Sequence, residues 1–338
     1  MNYKDFIENL VDDLQEEFAK RGRVINVELV EQKKTDGIHI GIKIDDGRNI
    51  KPIIYPNGFY KLHESGGNYS HNFNRFIDQI ETELRLIPLH VKLDYKQMAD
   101  TLTMQLVSKE YGREFLRDVI RTDVEDLAII YRLHTVINGE KVSTVITNRI
   151  LSEMEMTKEE LHQLAMKKAP SNSPCVVQNL ADAIGEISLE MRGIPESPLV
   201  LVSNSEKCYG ASTLLYPGTL ERCADVMNGD FFILPSSVHE CLLCADNDSL
   251  SLRDLKSMVK DVNDTVLDAE ELLSYNVYHY DHKNKIFEIA DKFYERKMAM
   301  EKNSVLNDLK SKQDEMEFGR HFIRNQDIGI RHGREQSL

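Results

Sequence analysis

The chain has 338 residues, 41% hydrophobic and 29% charged, the composition of a globular protein long enough to bury a sizeable core in about two domains. Its 42 basic and 56 acidic residues leave a net charge of −14. That balance excludes a nucleic-acid binder or an anionic-membrane binder that works by general charge, because both depend on Lys and Arg.

Periodicity predicts an opening helix, with Phe6, Leu10, Leu14 and Phe18 stepping by four and Gly22 as a stop. Two alternating strands follow, Ile25–Leu29 and Ile38–Ile44, joined by Thr35-Asp36-Gly37. A third extended piece, Asn49–Tyr55, ends at Pro56-Asn57-Gly58, and Phe73, Phe76, Ile77, Ile80 and Leu84 mark a second helix before a boundary near Pro88. Tyr95, Met98, Ala99, Leu102 and Leu106 then predict another helix. Leu127–Val136 and Val142–Thr147 flank Asn138-Gly139, a strong hairpin signal. Thr157 with Glu160 forms a capping box, with Met156 and Leu161 placed as a hydrophobic staple. Val177, Leu180, Ile184, Ile187 and Met191 predict a helix stopped by Gly193. Strands Leu199–Ser203 and Cys208–Thr213, a helix over Leu220–Met227, strands Phe231–Leu234 and Val238–Cys244, a helix Leu252–Val262 and a hairpin of Val277–Tyr280 with Ile286–Ile289 complete the ordered part. Beyond Lys302 the composition predicts disorder apart from a helical stretch near Val305–Leu309, with Gly319, Gly329 and Gly333 prominent.

Strands joined by tight turns make this an α+β chain with antiparallel sheets and packed helices. The expected layout is a smaller N-terminal lobe over 1–90, a main lobe over 91–290 and a helical, then disordered, tail over 291–338. No apolar run approaches the roughly 18 residues of a membrane span. Asp5, Glu8, Asp12, Asp13, Glu16 and Glu17 stand where a secretory signal would be basic, then apolar. The expected location is therefore the cytoplasm. Five cysteines, an odd number, argue against a disulfide scaffold.

The polar cluster Ser236-Ser237-Val238-His239-Glu240 contains the parts of a nucleophile–base system, with Ser236 or Ser237 attacking and His239 as base. The same residues, after Pro235, suit a tight turn, and no G-x-S-x-G elbow surrounds the serines. Cys241 and Cys244 have metal-ligand spacing, but positions three apart on a strand face opposite sides and no second pair exists, so a metal role is rejected. His279 and His282 straddle a turn with no third ligand, and are rejected likewise. Tyr131, Arg132, Tyr278 and Tyr280 suit a pocket lining or an interface, and equally a half-buried strand. There is no phosphate-binding glycine motif, and no cofactor is expected.

Several segments resemble a bacterial domain-of-unknown-function family, number 5688, of anaerobic Gram-positive organisms. They are Tyr131-Arg132, Met156-Thr157 with Glu160-Leu161, Tyr209-Gly210-Ala211 before Tyr216-Pro217, Gly229-Asp230-Phe231-Phe232 running to Glu240, Met258-Val259, Val262-Asn263, Leu273-Ser274, Val277–Asp281 and Ser304–Lys310. The resemblance implies a bacterial cytosolic protein, with aliphatic residues at the positions of Cys241 and Cys244, and brings no activity with it. The leading expectation is a non-enzymatic interaction or adaptor protein with a protein partner. The alternatives are a hydrolase using the Ser236–Glu240 turn and an acidic inhibitor of a nucleic-acid-binding protein.

Overall fold

A computed structural model describes residues 2–88, 90–184, 199–305, 310 and 313. The chain divides into one unit of Met1–Ile286 and a second of Phe287–Leu338. The class is α+β, and the described sheets are antiparallel. Among the described residues no helix is long and apolar enough to cross a membrane.

Helix α1 (Tyr3–Lys20) starts where the Asn2 side chain accepts the Asp5 amide, and ends before Gly22 at φ +71°. Its stripe of Phe6, Ile7, Leu10, Leu14 and Phe18 is fully buried. Strands β1 (Asn26–Lys34), β2 (Gly37–Asp45) and the two-residue β3 (Ile53–Ile54) form a sheet in that order. Pro56-Asn57-Gly58, where the third extended piece is expected to end, opens helix α2 (Asn57–Glu64), and α3 (Tyr69–Leu86) follows. The core here draws only on residues between Tyr3 and Leu84. Arg48 lies buried beside it, its Nε and Nη2 each 2.5 Å from the Asp46 carboxylate and its Nη1 on the Leu84 and Ile87 carbonyls. The guanidinium holds Asp46 below the usual carboxylate pKa.

The expected helix from Tyr95 to Leu106 breaks after α4 (Tyr95–Met98) and a 3-10 turn, and becomes strand β4 (Thr103–Ser108). Met104–Ser108 are all buried, and a strand buried on both faces carries no alternation to distinguish it from a helix. The long strand β6 (Leu127–Ile137) pairs with β4, with β5 (Arg121–Val124), and through Asn138-Gly139 with β7 (Glu140–Val145). Asn138 and Gly139 both have positive φ, +51° and +89°, as a type I′ hairpin turn requires. Helices α5 (Asn148–Met154) and α6 (Lys158–Asn172) follow, and the Thr157–Glu160 capping box is formed in both directions.

Within the first unit the third sheet runs β12 (Tyr278–Asp281), β10 (Phe231–Pro235), β11 (Cys241–Ala245), β9 (Val200–Asn204), β8 (Cys175–Asn179). Val177 lies in β8, not in the expected helix, because Cys175–Asn179 find β9 as a ladder partner. Helix α7 (Leu180–Ile184) is short, and Ile187, Met191 and Gly193 lie outside the described residues. The expected strand Cys208–Thr213 is instead a bend into a buried 3-10 helix, Gly210–Leu215. There the Thr213 and Ser212 hydroxyls donate to the carbonyls three residues back, a local bond that competes with a ladder. Helices α8 (Thr219–Met227) and α9 (Leu252–Thr265) flank β10 and β11 in sequence. In the second unit a helix spans 290–305, and Arg296 donates from Nε and Nη2 to one oxygen of Glu288, at 2.9 and 2.7 Å. The disorder expected of the tail falls on residues outside those described, as does the Leu306–Leu309 part of the expected helix.

Candidate functional site

Strand β6 alternates Tyr131 and Leu133, both buried, with Arg132 and His134 on the other face. Arg132 Nη1 donates to Gln105 Oε1 at 2.9 Å, and Nε and Nη2 donate to Ser143 Oγ at 3.2 and 2.7 Å. Its guanidinium carbon lies 5.0 Å from the centre of the Tyr209 ring. No carboxylate pairs with it among the described residues. Burial holds the Arg132 pKa below its ordinary value, opposed only by Tyr209 and Cys208. A partly buried cation without a counter-charge is unfavourable, and in a chain of net charge −14 it is conspicuous.

Two adjoining hollows of about 270 and 190 Å³ share Thr103, His134, Lys141 and Glu206, and Arg132 stands behind the smaller one, held to its lining residues Ser143 and Tyr209. The smaller one also meets Ser143, Cys208 and Tyr209. His134 Nε2 lies 2.7 Å from the Thr103 hydroxyl. Burial first, and then the Arg132 charge, lower its pKa below 6.5. Lys141 donates to Glu206 at 2.7 Å at the exposed rim.

The far wall is the bend at Tyr209. The buried Asn204 carboxamide clamps it, donating to the Cys208 carbonyl at 2.6 Å and accepting the Cys208 amide at 3.0 Å. Lys207 and Tyr209 are driven into left-handed backbone, φ +51° and +56°. The next residue must be glycine: a Cβ at Gly210 would lie 2.4 Å from Ser203 Oγ and 2.5 Å from both the Asn204 nitrogen and the His239 carbonyl. The Tyr209 amide donates to His239 Nδ1 at 3.0 Å, and the two rings stack at 5.6 Å and 22°. Because Nδ1 accepts, the neutral imidazole carries its proton on Nε2, which lies 3.6 Å from the Glu271 carboxylate.

Two sequence candidates, Arg132 and His239, are thus brought to one tyrosine. The serines are not part of that arrangement. The Ser236 and Ser237 amides donate to the Glu240 carbonyl at 3.2 and 3.1 Å, and Ser237 Oγ accepts the His239 amide at 3.0 Å. The Ser237 hydroxyl caps the turn and does not meet the imidazole. Cys241 and Cys244 are 2% and 1% exposed, and burial raises both thiol pKa values. His279 is fully buried with Nε2 3.2 Å from Asp246, whereas His282 is exposed and its amide donates to Asp230. Tyr131, Tyr278 and Tyr280, read above as pocket or interface residues, are at most 2% exposed. The Tyr131 hydroxyl meets Thr122 and His162, and the Tyr278 hydroxyl meets Asp126, so their polar ends are occupied inside the protein. Sequence reasoning had not singled out Tyr209, His134, Gln105 or Ser143 as site residues. The alternation of Arg132 with His134 on one strand face was the available signal for His134.

A family model matches residues 3–282, most of the chain. The chain belongs to DUF5688, a family of unknown function. No curated protein and no solved structure matches it. Of the segments that carried the resemblance, Tyr131-Arg132, Tyr209-Gly210 and the run to Glu240 meet at this cleft.

Proposed function

We propose that the protein is a non-enzymatic binding module whose cleft takes a carboxylate or phosphate group, presented by a partner or carried by a free small ligand. The observation that carries this reading is the half-buried Arg132 guanidinium, fixed by Gln105, Ser143 and Tyr209, and without a carboxylate partner among the described residues. An arriving anion would supply the missing charge, and charge-assisted hydrogen bonds to a fixed guanidinium contribute about 1.5–3 kcal/mol. His134 and Lys141 stand at the same opening, and the two hollows have room for a headgroup rather than a large cofactor.

Titrating inorganic phosphate and succinate while following His134 by NMR tests the reading. Binding is expected to raise the His134 pKa, and Arg132→Gln is expected to weaken it at least tenfold, about 1.4 kcal/mol. A free dicarboxylate binding as tightly as a peptide with an acidic side chain would favour the small-ligand source; tighter peptide binding would favour a protein partner. No binding of any anion, or binding indifferent to Arg132→Gln, overturns it. With the Ser237 hydroxyl used in the turn, a fluorophosphonate is expected to leave Ser236 and Ser237 unlabelled.

A further inference from the structure

Away from the cleft, the β1–β2 turn faces the 3-10 turn Ala269–Glu271. We infer that Asp36, His39 and Glu270 form a binding site for a divalent transition ion of the zinc type, tying the hairpin tip to this turn. Their ligand atoms all lie within 4.8 Å of one another. His39 Nε2 is 2.6 Å from Asp36 Oδ2. The second observation is Asp36 itself. Its side chain is only 7% exposed, and its other oxygen, Oδ1, is buried with no hydrogen-bond partner among the described residues. A desolvated carboxylate oxygen left unused is expensive, and a cation is what it lacks.

The walls of the site are fixed. Gly41 lacks a side chain where a Cβ would lie 2.5 Å from Ile53 and 3.0 Å from Tyr55, so Tyr55 lies across β2, its ring edge-on to His39 at 6.1 Å. Lys34 Nζ lies 4.1 Å from the centre of the Tyr55 ring and reaches Glu270 Oε1 at 3.4 Å. It is the charge that an ion must displace from Glu270, and its side chain is about a third exposed.

One imidazole nitrogen with two carboxylates selects zinc-like ions over calcium and magnesium, which take oxygen ligands. Bonds of about 2.1 Å in a tetrahedron put ligand atoms about 3.4 Å apart, so these atoms need move only about 1 Å. Three protein ligands leave a fourth position to water.

Calorimetric titration of the full chain with ZnCl2, MgCl2 and CaCl2 tests the inference, with Co2+ as a spectroscopic reporter. One equivalent of Zn2+ is expected, with no comparable Mg2+ or Ca2+ binding and a Co2+ spectrum without thiolate charge-transfer bands. His39→Ala and Glu270→Gln, both at partly exposed positions, are each expected to weaken binding at least tenfold, and Cys208→Ser is expected to leave it unchanged. Absence of stoichiometric Zn2+ binding, equal Mg2+ or Ca2+ binding, thiolate ligation, or binding insensitive to His39→Ala and Glu270→Gln overturns the site.

Discussion

At the residue scale, Gly210 is the position least able to change. Two of the three atoms a Cβ would strike are backbone, the Asn204 nitrogen and the His239 carbonyl, so neither can rotate away. Gly210→Ala is expected to destabilise the protein by about 2–3 kcal/mol, read from urea denaturation, because it forces apart the bend and the His239 turn. His134 gives a pH dependence whose sign follows from its environment. Burial and Arg132 lower its pKa in the folded state, so the unfolded chain takes up the proton first. The contribution of the neutral ring is present above about pH 6.5 and is lost as pH falls from there toward the folded-state pKa. Arg132→Gln removes the larger of the two positive charges that act beside burial, Arg132 and Lys141, so the His134 titration is expected to move upward in that variant, as NMR would show. An unmoved titration would mean that the Arg132 charge does not act on the ring.

At the scale of elements, the β5–β6 turn is anchored by one acid. Asp126 accepts from the Ser274 hydroxyl at 2.7 Å, the Asn276 amide at 3.0 Å and the Tyr278 hydroxyl at 2.6 Å. Asp126→Ala is expected to cost about 3 kcal/mol by chemical denaturation, since it strips a buried tyrosine of its carboxylate acceptor; Asp126→Asn, which keeps an acceptor, is expected to cost less. These bonds span 148, 150 and 152 residues, and no local pattern reports them. What was legible is what short-range chemistry decides: the α1 stripe, the Asn138-Gly139 turn, the Thr157–Glu160 box. Strand β4 was misread as helix because a partner strand, not its own periodicity, determines its conformation. The candidate cleft divides the same way. Arg132 and His239 were on view as residue types, but their meeting depends on Tyr209, whose left-handed backbone is imposed by Asn204 and the space at Gly210.

For the molecule as a whole, the first 84 residues hold a core of their own. Asn49 exchanges two hydrogen bonds with Val91, and Arg48 caps the carbonyls at the end of α3, so the natural cut lies just beyond. A fragment of residues 1–92 is expected to fold and unfold cooperatively in thermal and urea denaturation. A fragment lacking a cooperative transition would show that the N-terminal lobe depends on the rest.

Glu270 and Glu271 are adjacent in the chain and face different neighbours. Glu270 reaches Lys34, Asp36 and His39, while Glu271 stands 3.6 Å from His239 and its carbonyl accepts the Val238 amide at 2.8 Å. A single peptide unit therefore joins the hairpin tip to the wall of the cleft. If occupancy at one end shifts this peptide unit, the affinity at the other end changes, and linkage then makes the change the same factor in both directions.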